Sequence, residues 1–244
     1  MLYKRLERNL IHLKVVDSTN QFASELLKST TVLSGTTILA EKQQKGRGQR
    51  TALWTSEEGK NLTMSTIFFP EIDVKHSFYL NIAVSLAVRK TLSDLKIPAK
   101  IKWPNDILVN EKKICGILIE NVLSGSKIQS SVIGVGLNVN QKEFGELSGT
   151  SIANEINSEP DLMDVFDQYF AYLDFYVNLL LDSNFKLLKD RYYENLLGLN
   201  EIRQFEDHSG EFAGTIVGVH ENGRLQVSVS GEIRSYDLKE VKFL

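Results

Sequence analysis

The chain has 244 residues, of which 42% are hydrophobic and 24% are charged, with a formal net charge of −3. These values are typical of a globular protein with a sizeable core, and they show no overall basic charge that would attract nucleic acid. The single cysteine excludes an internal disulfide and favours a reducing compartment, so we expect a cytoplasmic protein. No apolar run is long enough to cross a membrane, and the first ten residues do not resemble a signal peptide.

Apolar patterns and turn residues predict a mixed α and β domain. Strands are predicted at residues 10–16, 36–40, 61–69, 99–103, 107–109, 114–119 and 128–135. Helices are predicted at residues 21–28, 77–96, 161–181 and 185–196. The helix at 77–96 places its apolar residues near one stripe, so we expect it to pack across the sheet. The strand at 128–135 is a candidate edge of the sheet.

The pattern changes at Gly198, after which short strands are predicted at residues 211–219, 225–229 and 233–236. Asn222-Gly223 and Ser230-Gly231 are typical hairpin turns between such strands. This spacing is typical of a small β-meander or barrel. We therefore predict two domains, residues 1–197 and a small C-terminal β-barrel at residues 198–244.

A polar string interrupts two predicted strands in the first domain. It is Lys102-Trp103-Pro104-Asn105-Asp106, and Pro104 ends the preceding strand because proline has no N–H to give to a ladder. Lys113 follows beside the turn of the next hairpin. By its position Lys113 would ordinarily be a surface lysine. A carboxylate, a carboxamide and a lysine at the rim of a sheet nevertheless indicate a candidate site for anions.

Residues 41–51 contain no apolar side chain but two glycines, Gly46 and Gly48, and several cations, so they predict an exposed loop. One interpretation is a solvated charged loop. The other is a lid, mobile without ligand, that closes over an anion while its glycines let the backbone approach. Trp54 follows this loop directly, and both a core anchor and a ligand platform remain open for it.

Several strings in one chain resemble the biotin protein ligases. They are Ser18-Thr19-Asn20, residues 41–50 with Trp54, residues 102–106, residues 113–116, and residues 134–138, in the family's order. The resemblance covers residues 10–155 clearly and the tail more loosely. It implies an α+β catalytic domain of the class II aminoacyl-tRNA-synthetase-like kind, with a mostly antiparallel sheet and helices. It also implies that ATP activates biotin to biotinyl-5′-AMP, and that biotin passes to a lysine of the biotin carboxyl carrier domain of a carboxylase such as acetyl-CoA carboxylase.

The same resemblance implies roles for individual residues, with Lys113, Asp106 and Arg47 as the catalytic ones. Biotin would contact Ser18, Thr19, Asn20, Gln43, Gly46, Arg47, Trp54, Lys113, Gly116, Leu118, Gly134 and Gly136, where the last three glycines leave room for the valeryl chain. ATP or the adenylate would contact Arg47, Gln49, Arg50, Trp54, Asn105, Lys113 and Asn138. Asp106 would hold either Lys113 or the Mg²⁺ that accompanies ATP. Residues 51–53 depart from the family's pattern, which bears on adenylate affinity.

Other functions are possible for the chain, and other roles for some of its residues. A lipoate or octanoate ligase would favour an apolar pocket without Ser18, Thr19 and Gln43, and a non-catalytic binding module would not need the three catalytic residues. Ser18 and Thr19 also suit a helix N-cap, and Cys115 is interpreted as a packed side chain rather than a nucleophile. The segment before Ser18 is too short for a winged-helix domain, so we expect the form without DNA binding, away from membranes, as a monomer or homodimer.

Overall fold

The computed structural model describes residues 6–48, 53–145 and 147–244, and its larger sheet contains seven strands. These are β1 (Asn9–Val16), β2 (Thr36–Gln43), β3 (Leu62–Phe68), β4 (Lys100–Lys102), β5 (Asp106–Val109), β6 (Lys112–Ser124) and β7 (Lys127–Leu137). Their spatial order is β1-β2-β3-β7-β6-β5-β4. Only the β1–β2 pair is parallel, so the expected mostly antiparallel sheet is confirmed.

Helices cover both faces of this sheet. They are α1 (Thr19–Ser29), α2 (Ser77–Asp94), the short α3 (Ile152–Ile156), α4 (Leu162–Leu181) and α5 (Phe185–Asn195). Met64 of β3 belongs to the core formed with α2 and α4, whereas Ile67 packs with α1, because residues an odd number apart face opposite sides of a strand. Helix α2 is buried around most of its circumference rather than along one stripe, since α4 and α5 cover its outer side.

The C-terminal strands form a second, antiparallel sheet. They are β8 (Ile202–Asp207), β9 (Gly210–Val219), β10 (Leu225–Val229), β11 (Glu232–Tyr236) and β12 (Val241–Phe243), in the order β11-β10-β9-β8-β12. Sequence patterns missed β8, whose only buried residue is Phe205, and β12, which has three residues. The sheet begins shortly after the predicted boundary at residue 197, but Phe205 shares one core with α2, so the division into two domains stays a prediction.

Two local expectations need correction. Residues 41–43 belong to strand β2 rather than to a loop, because Lys42 and Gln43 pair with Val15 and Val16 of β1. Polar residues are compatible with a strand when their side chains are not needed for the core. The strand at 128–135 is not an edge, since β7 lies between β3 and β6. Within the described part of the chain, no helix is long and apolar enough to cross a membrane.

Candidate active site

A cavity of about 240 Å³ lies where the start of α1 meets strands β2, β3, β6 and β7. The residues predicted for the site that line it are Ser18, Thr19, Asn20, Gln43, Arg47, Trp54, Asn105, Asp106, Lys113, Gly116, Leu118, Gly134 and Gly136. The fold therefore brings all five sequence strings to one place. Gln49 and Arg50, which were predicted to contact the adenylate, lie outside the described residues.

Two predicted site residues do not line the cavity. Gly46 closes the base of the loop instead, because its carbonyl oxygen accepts a hydrogen bond from the Trp54 N–H at 3.0 Å. Asn138 is buried, and its side-chain amide donates to the carbonyl oxygens of Thr150 at 3.0 Å and Lys113 at 3.4 Å. Asn138 therefore anchors the backbone beneath Lys113, and its contact with the adenylate stays a prediction.

Sequence reasoning missed several lining residues. They are Gly48, Leu53, Thr63, Met64, Ile117, Val135 and Lys239. Ile117 of β6 and Val135 of β7 each lie between two predicted site residues of the same strand, so the sequence carried a signal for these two. No site residue was predicted on β3, which supplies Thr63 and Met64. Lys239 comes from the turn between β11 and β12 of the C-terminal sheet, and nothing in its local sequence points to the cavity.

One end of the cavity is polar and formed by neutral side chains. The Gln43 Oε1 atom accepts hydrogen bonds from the Thr19 backbone N–H at 2.7 Å and from the Thr19 hydroxyl at 3.0 Å. These bonds fix the Gln43 amide and turn its NH₂ group away from Thr19. Ser18 occupies the N-cap position of α1 but makes no side-chain capping bond, so the capping role does not account for its hydroxyl.

Asn20 is held by hydrogen bonds to two strands, β3 and β6. Its Nδ2 group donates to Glu120 Oε2 at 2.7 Å and to the Leu118 carbonyl oxygen at 3.3 Å. Its Oδ1 atom accepts from the Ser65 hydroxyl at 2.6 Å, and Ser65 is fully buried. Both amide hydrogens are thus engaged, and Asn20 forms a fixed wall of the cavity. Ser65 and Glu120 were not predicted, because only the strand register brings them to Asn20.

The other end of the cavity is charged. Lys113 Nζ pairs with Asp106 Oδ1 at 2.6 Å, and both side chains are partly exposed, at 39% and 30%. A register shift between β5 and β6 places Lys113 opposite Leu108 and within reach of Asp106. Asn105 is bonded to β6 in both directions, since the Ile117 N–H donates to its carbonyl at 3.2 Å and its amide donates to the Ile117 carbonyl. Lys113 is therefore a positioned ammonium and not a free surface lysine.

Trp54 lies flat against glycines of β6 and β7. Gly116 and Gly136 are paired across these strands, and a Cβ atom on Gly136 would overlap the Trp54 indole. A Cβ atom on Gly116 would stand 3.3 Å from the indole and 3.2 Å from Lys113 Nζ. The space over these glycines is thus shared by Trp54 and Lys113. The indole Nε1 is buried and has no hydrogen-bond partner among the described residues, which leaves a donor beside the cavity.

Arg47, Cys115 and a possible metal cluster complete the description of the site. Arg47 lines the cavity, and its Nη2 atom donates to Gln21 Oε1 at 3.1 Å on the exposed side. Cys115 is fully buried, and burial raises the pKa of its thiol, so its interpretation as a packed, unreactive side chain is confirmed. No group of three or more histidine, cysteine, aspartate or glutamate side chains within the described ranges is arranged to hold a metal.

The fold and cavity define an α+β domain whose cavity is lined by neutral polar side chains at one end and by charged side chains at the other. Residues 12–138 match the profile of the Biotin/lipoate A/B protein ligase family. The chain is 29% identical over 234 residues to the Bifunctional ligase/repressor BirA of Bacillus subtilis, covering 93% of this chain and 71% of that protein. It is 36% identical over 127 residues to the Biotin–[acetyl-CoA-carboxylase] ligase of Paracoccus denitrificans, covering 50% and 51% of the two chains.

A solved structure extends the similarity to the whole fold. The biotin protein ligase from Aquifex aeolicus, in complex with biotin and ATP, superposes with a TM-score of 0.81 at 30% identity over 98% of this chain and 99% of that chain. The chain therefore belongs to the Biotin/lipoate A/B protein ligase family and, within it, to the biotin protein ligases. The α+β fold class that the sequence strings implied is confirmed by this match.

Proposed function

We propose that the chain is an ATP-dependent biotin protein ligase. It activates biotin to biotinyl-5′-AMP and then transfers the biotinyl group to a lysine of a biotin carboxyl carrier domain. The observation that carries this proposal is that one continuous cavity joins a neutral polar end to the paired Lys113 and Asp106. A substrate with a neutral ring at one end and a reacting carboxylate at the other matches both ends.

The polar end suits the ureido ring of biotin. An uncharged urea offers two N–H donors and one carbonyl acceptor, and it needs neutral partners of both kinds. Ser18 and Thr19 carry hydroxyls there, and the bonds from Thr19 hold the Gln43 amide in one orientation. An acyl chain without a polar head would offer no hydrogen-bond partner to the Ser18 hydroxyl or to the Gln43 NH₂ group, which disfavours lipoate or octanoate as the substrate.

The first step takes place at the charged end. A biotin carboxylate oxygen attacks the α-phosphorus of ATP, the bond from that phosphorus to the bridging oxygen breaks, and pyrophosphate leaves. Two anions must approach each other, so the Lys113 ammonium and the Arg47 guanidinium act by position and charge. No covalent intermediate with the enzyme is needed.

In the second step the ε-amine of the acceptor lysine attacks the acyl carbon of the adenylate. The C–N bond forms, AMP leaves, and the amine proton passes to solvent. The acceptor is the carrier domain of a carboxylase, a proposal supported by the name of the Paracoccus relative. We place this reaction in the cytoplasm, in line with the single buried cysteine.

The residues at the charged end fit a Mg²⁺ ion that arrives with ATP. Mg²⁺ is usually held by one or two carboxylates together with substrate phosphates and water. Asp106 supplies one carboxylate beside the cavity, and it is the residue that would hold the ion. When bound, the ion would neutralise phosphate charge. The close pair with Lys113 nevertheless supports orientation of the lysine as the main role of Asp106.

ATP–pyrophosphate exchange tests the proposed reaction directly. We expect exchange that requires biotin and is not supported by lipoate. Exchange that requires lipoate and is not supported by biotin would assign the chain to the lipoate ligases of the same family. A protein that binds biotin but catalyses no exchange would be a binding module.

Replacing Asp106 by asparagine separates its two candidate roles. The amide oxygen still accepts a hydrogen bond from Lys113 but loses the charge, so we expect exchange to fall about 10-fold or more with the Mg²⁺ requirement unchanged. The measurement is exchange rate against Mg²⁺ concentration, with Glu111→Gln, an exposed carboxylate on the same hairpin, as the control. A marked rise in the Mg²⁺ needed for half-maximal rate would assign Asp106 to the metal.

Replacing Gly134 by alanine should weaken biotin binding. The new Cβ atom would overlap Asn20 Oδ1 and stand 3.0 Å from the Leu118 carbonyl oxygen, so the wall formed by Asn20 must move. We expect the dissociation constant for biotin to rise by about 10-fold, as for loss of a buried hydrogen bond. Gly125→Ala, on the turn of the same hairpin with nothing within 4 Å of its Cβ atom, should bind normally. Equal affinity in both variants would contradict a fixed Asn20 wall.

A further inference from the structure

The C-terminal sheet is bonded to the segment that carries Asp106. Trp103 is buried, and its indole Nε1 donates to the Gly223 carbonyl oxygen at 2.8 Å. Gly223 lies in the turn between β9 and β10, and Trp103 stands three positions before Asp106. This bond joins residues 120 positions apart. It is a direct link between the two sheets at the charged end of the cavity.

The turn that presents the Gly223 carbonyl is well defined. The Gly223 N–H donates to the His220 carbonyl at 2.8 Å, and the His220 N–H donates to the Arg224 carbonyl at 2.9 Å. Gly223 has a φ of +89°, which favours glycine, and a Cβ atom there would stand 2.7 Å from the Phe78 ring. The turn is therefore closely packed on α2.

Helix α2 also holds the segment on the other side of this bond. Asn81 Nδ2 donates to the Pro104 carbonyl oxygen at 3.1 Å. Asn81 is three residues after Phe78, so both side chains lie on one face of the helix. The same helix face thus contacts the turn at Gly223 and holds the peptide that joins Pro104 to Asn105.

The backbone between Trp103 and Asp106 has little conformational freedom. Pro104 has a fixed φ, and Asn105 is bonded in both directions to Ile117 of β6. Asp106 follows immediately and pairs with Lys113 at 2.6 Å. A displacement of Trp103 is therefore passed to the carboxylate that orients the ammonium.

We propose that Trp103 is a positioning residue through which the C-terminal sheet sets the geometry of the Asp106–Lys113 pair. Trp103 does not line the cavity, so its effect is on the rate of adenylate formation and not on biotin binding. This inference rests on the proposed ligase function. It also gives the C-terminal sheet a defined part in the first chemical step.

Three variants of the full chain test this role. Trp103→Phe removes the indole N–H while keeping an aromatic ring, and Gly223→Ala presses the turn against Phe78. Gly231→Ala is the matched control, because its φ of +90° imposes the same backbone cost while nothing lies within 4 Å of its Cβ atom. Each variant is assayed for kcat and KM in biotin-dependent pyrophosphate exchange, together with its melting temperature.

We expect Trp103→Phe and Gly223→Ala to lower kcat by about 10- to 100-fold, as misplacement of a reacting group by around 1 Å does. The KM for biotin should stay within about twofold of the wild type, and Gly231→Ala should match the wild type in both constants. Wild-type kcat in folded Trp103→Phe and Gly223→Ala would overturn the positioning role. So would an equal loss in Gly231→Ala, which would indicate a general effect on stability. If Trp103→Phe does not fold, the two glycine variants decide. Absence of exchange in the wild type would instead contradict the proposed function.

Discussion

Lys113→Ala is expected to abolish biotin-dependent pyrophosphate exchange while the protein stays folded. The Lys113 ammonium stands at 2.6 Å from Asp106, at the charged end of the cavity, where a carboxylate must approach a phosphate. Removing one such group that stabilises developing charge typically costs about 10²–10³ in rate. The Lys113 side chain is 39% exposed, so its loss opens no large hole in the core.

Lys112→Ala is the matched control for this variant. Lys112 is the preceding residue on β6 and is exposed, so its removal changes the net charge equally without touching the pair. We expect normal exchange in Lys112→Ala and unchanged thermal melting in both variants. Near-normal exchange in folded Lys113→Ala would contradict the assignment of Lys113 as the catalytic ammonium.

Arg47→Ala is expected to weaken the binding of biotin and of the adenylate, and to release free biotinyl-5′-AMP into solution. Arg47 lines the cavity from the segment whose base is closed by Gly46 and Trp54. A charge-assisted hydrogen bond to the adenylate phosphate is worth about 10- to 100-fold in affinity. Closure of this segment would also exclude water, so its loss exposes a reactive mixed anhydride.

Lys45→Ala provides the comparison for Arg47→Ala. Lys45 is a cation on the same segment, but it pairs with Asp17 at 2.8 Å and does not line the cavity. Released adenylate is measured by its appearance in filtrate, and the affinity for biotin by titration. A rate of release in Arg47→Ala no greater than in Lys45→Ala would contradict the assignment. Hydrogen exchange across residues 43–50 tests the lid itself, since equal protection with and without biotin plus ATP would exclude closure.

The sequence by itself determined the elements whose signals are local. Strands β3 and β7 and helix α2 carry apolar residues along most of their length, and burial of apolar side chains is encoded residue by residue. The strings around Thr19, Gln43 and Lys113 also carried the resemblance to the biotin protein ligases, and that resemblance implied the chemistry. Elements with weak local signals, such as β8 and β12, were missed.

Only the tertiary structure decided which side chains of the site contact one another. The contacts of Asn20 with Ser65 and Glu120 depend on strand register, which a local pattern does not specify. The packing of Trp54 on Gly136 depends likewise on tertiary structure, since the two residues are far apart in the sequence. The bond from Trp103 to Gly223 depends on how two separate sheets dock. Such long-range contacts form only when the whole core packs, because each of them depends on many others. No local stretch of sequence is therefore sufficient to predict them.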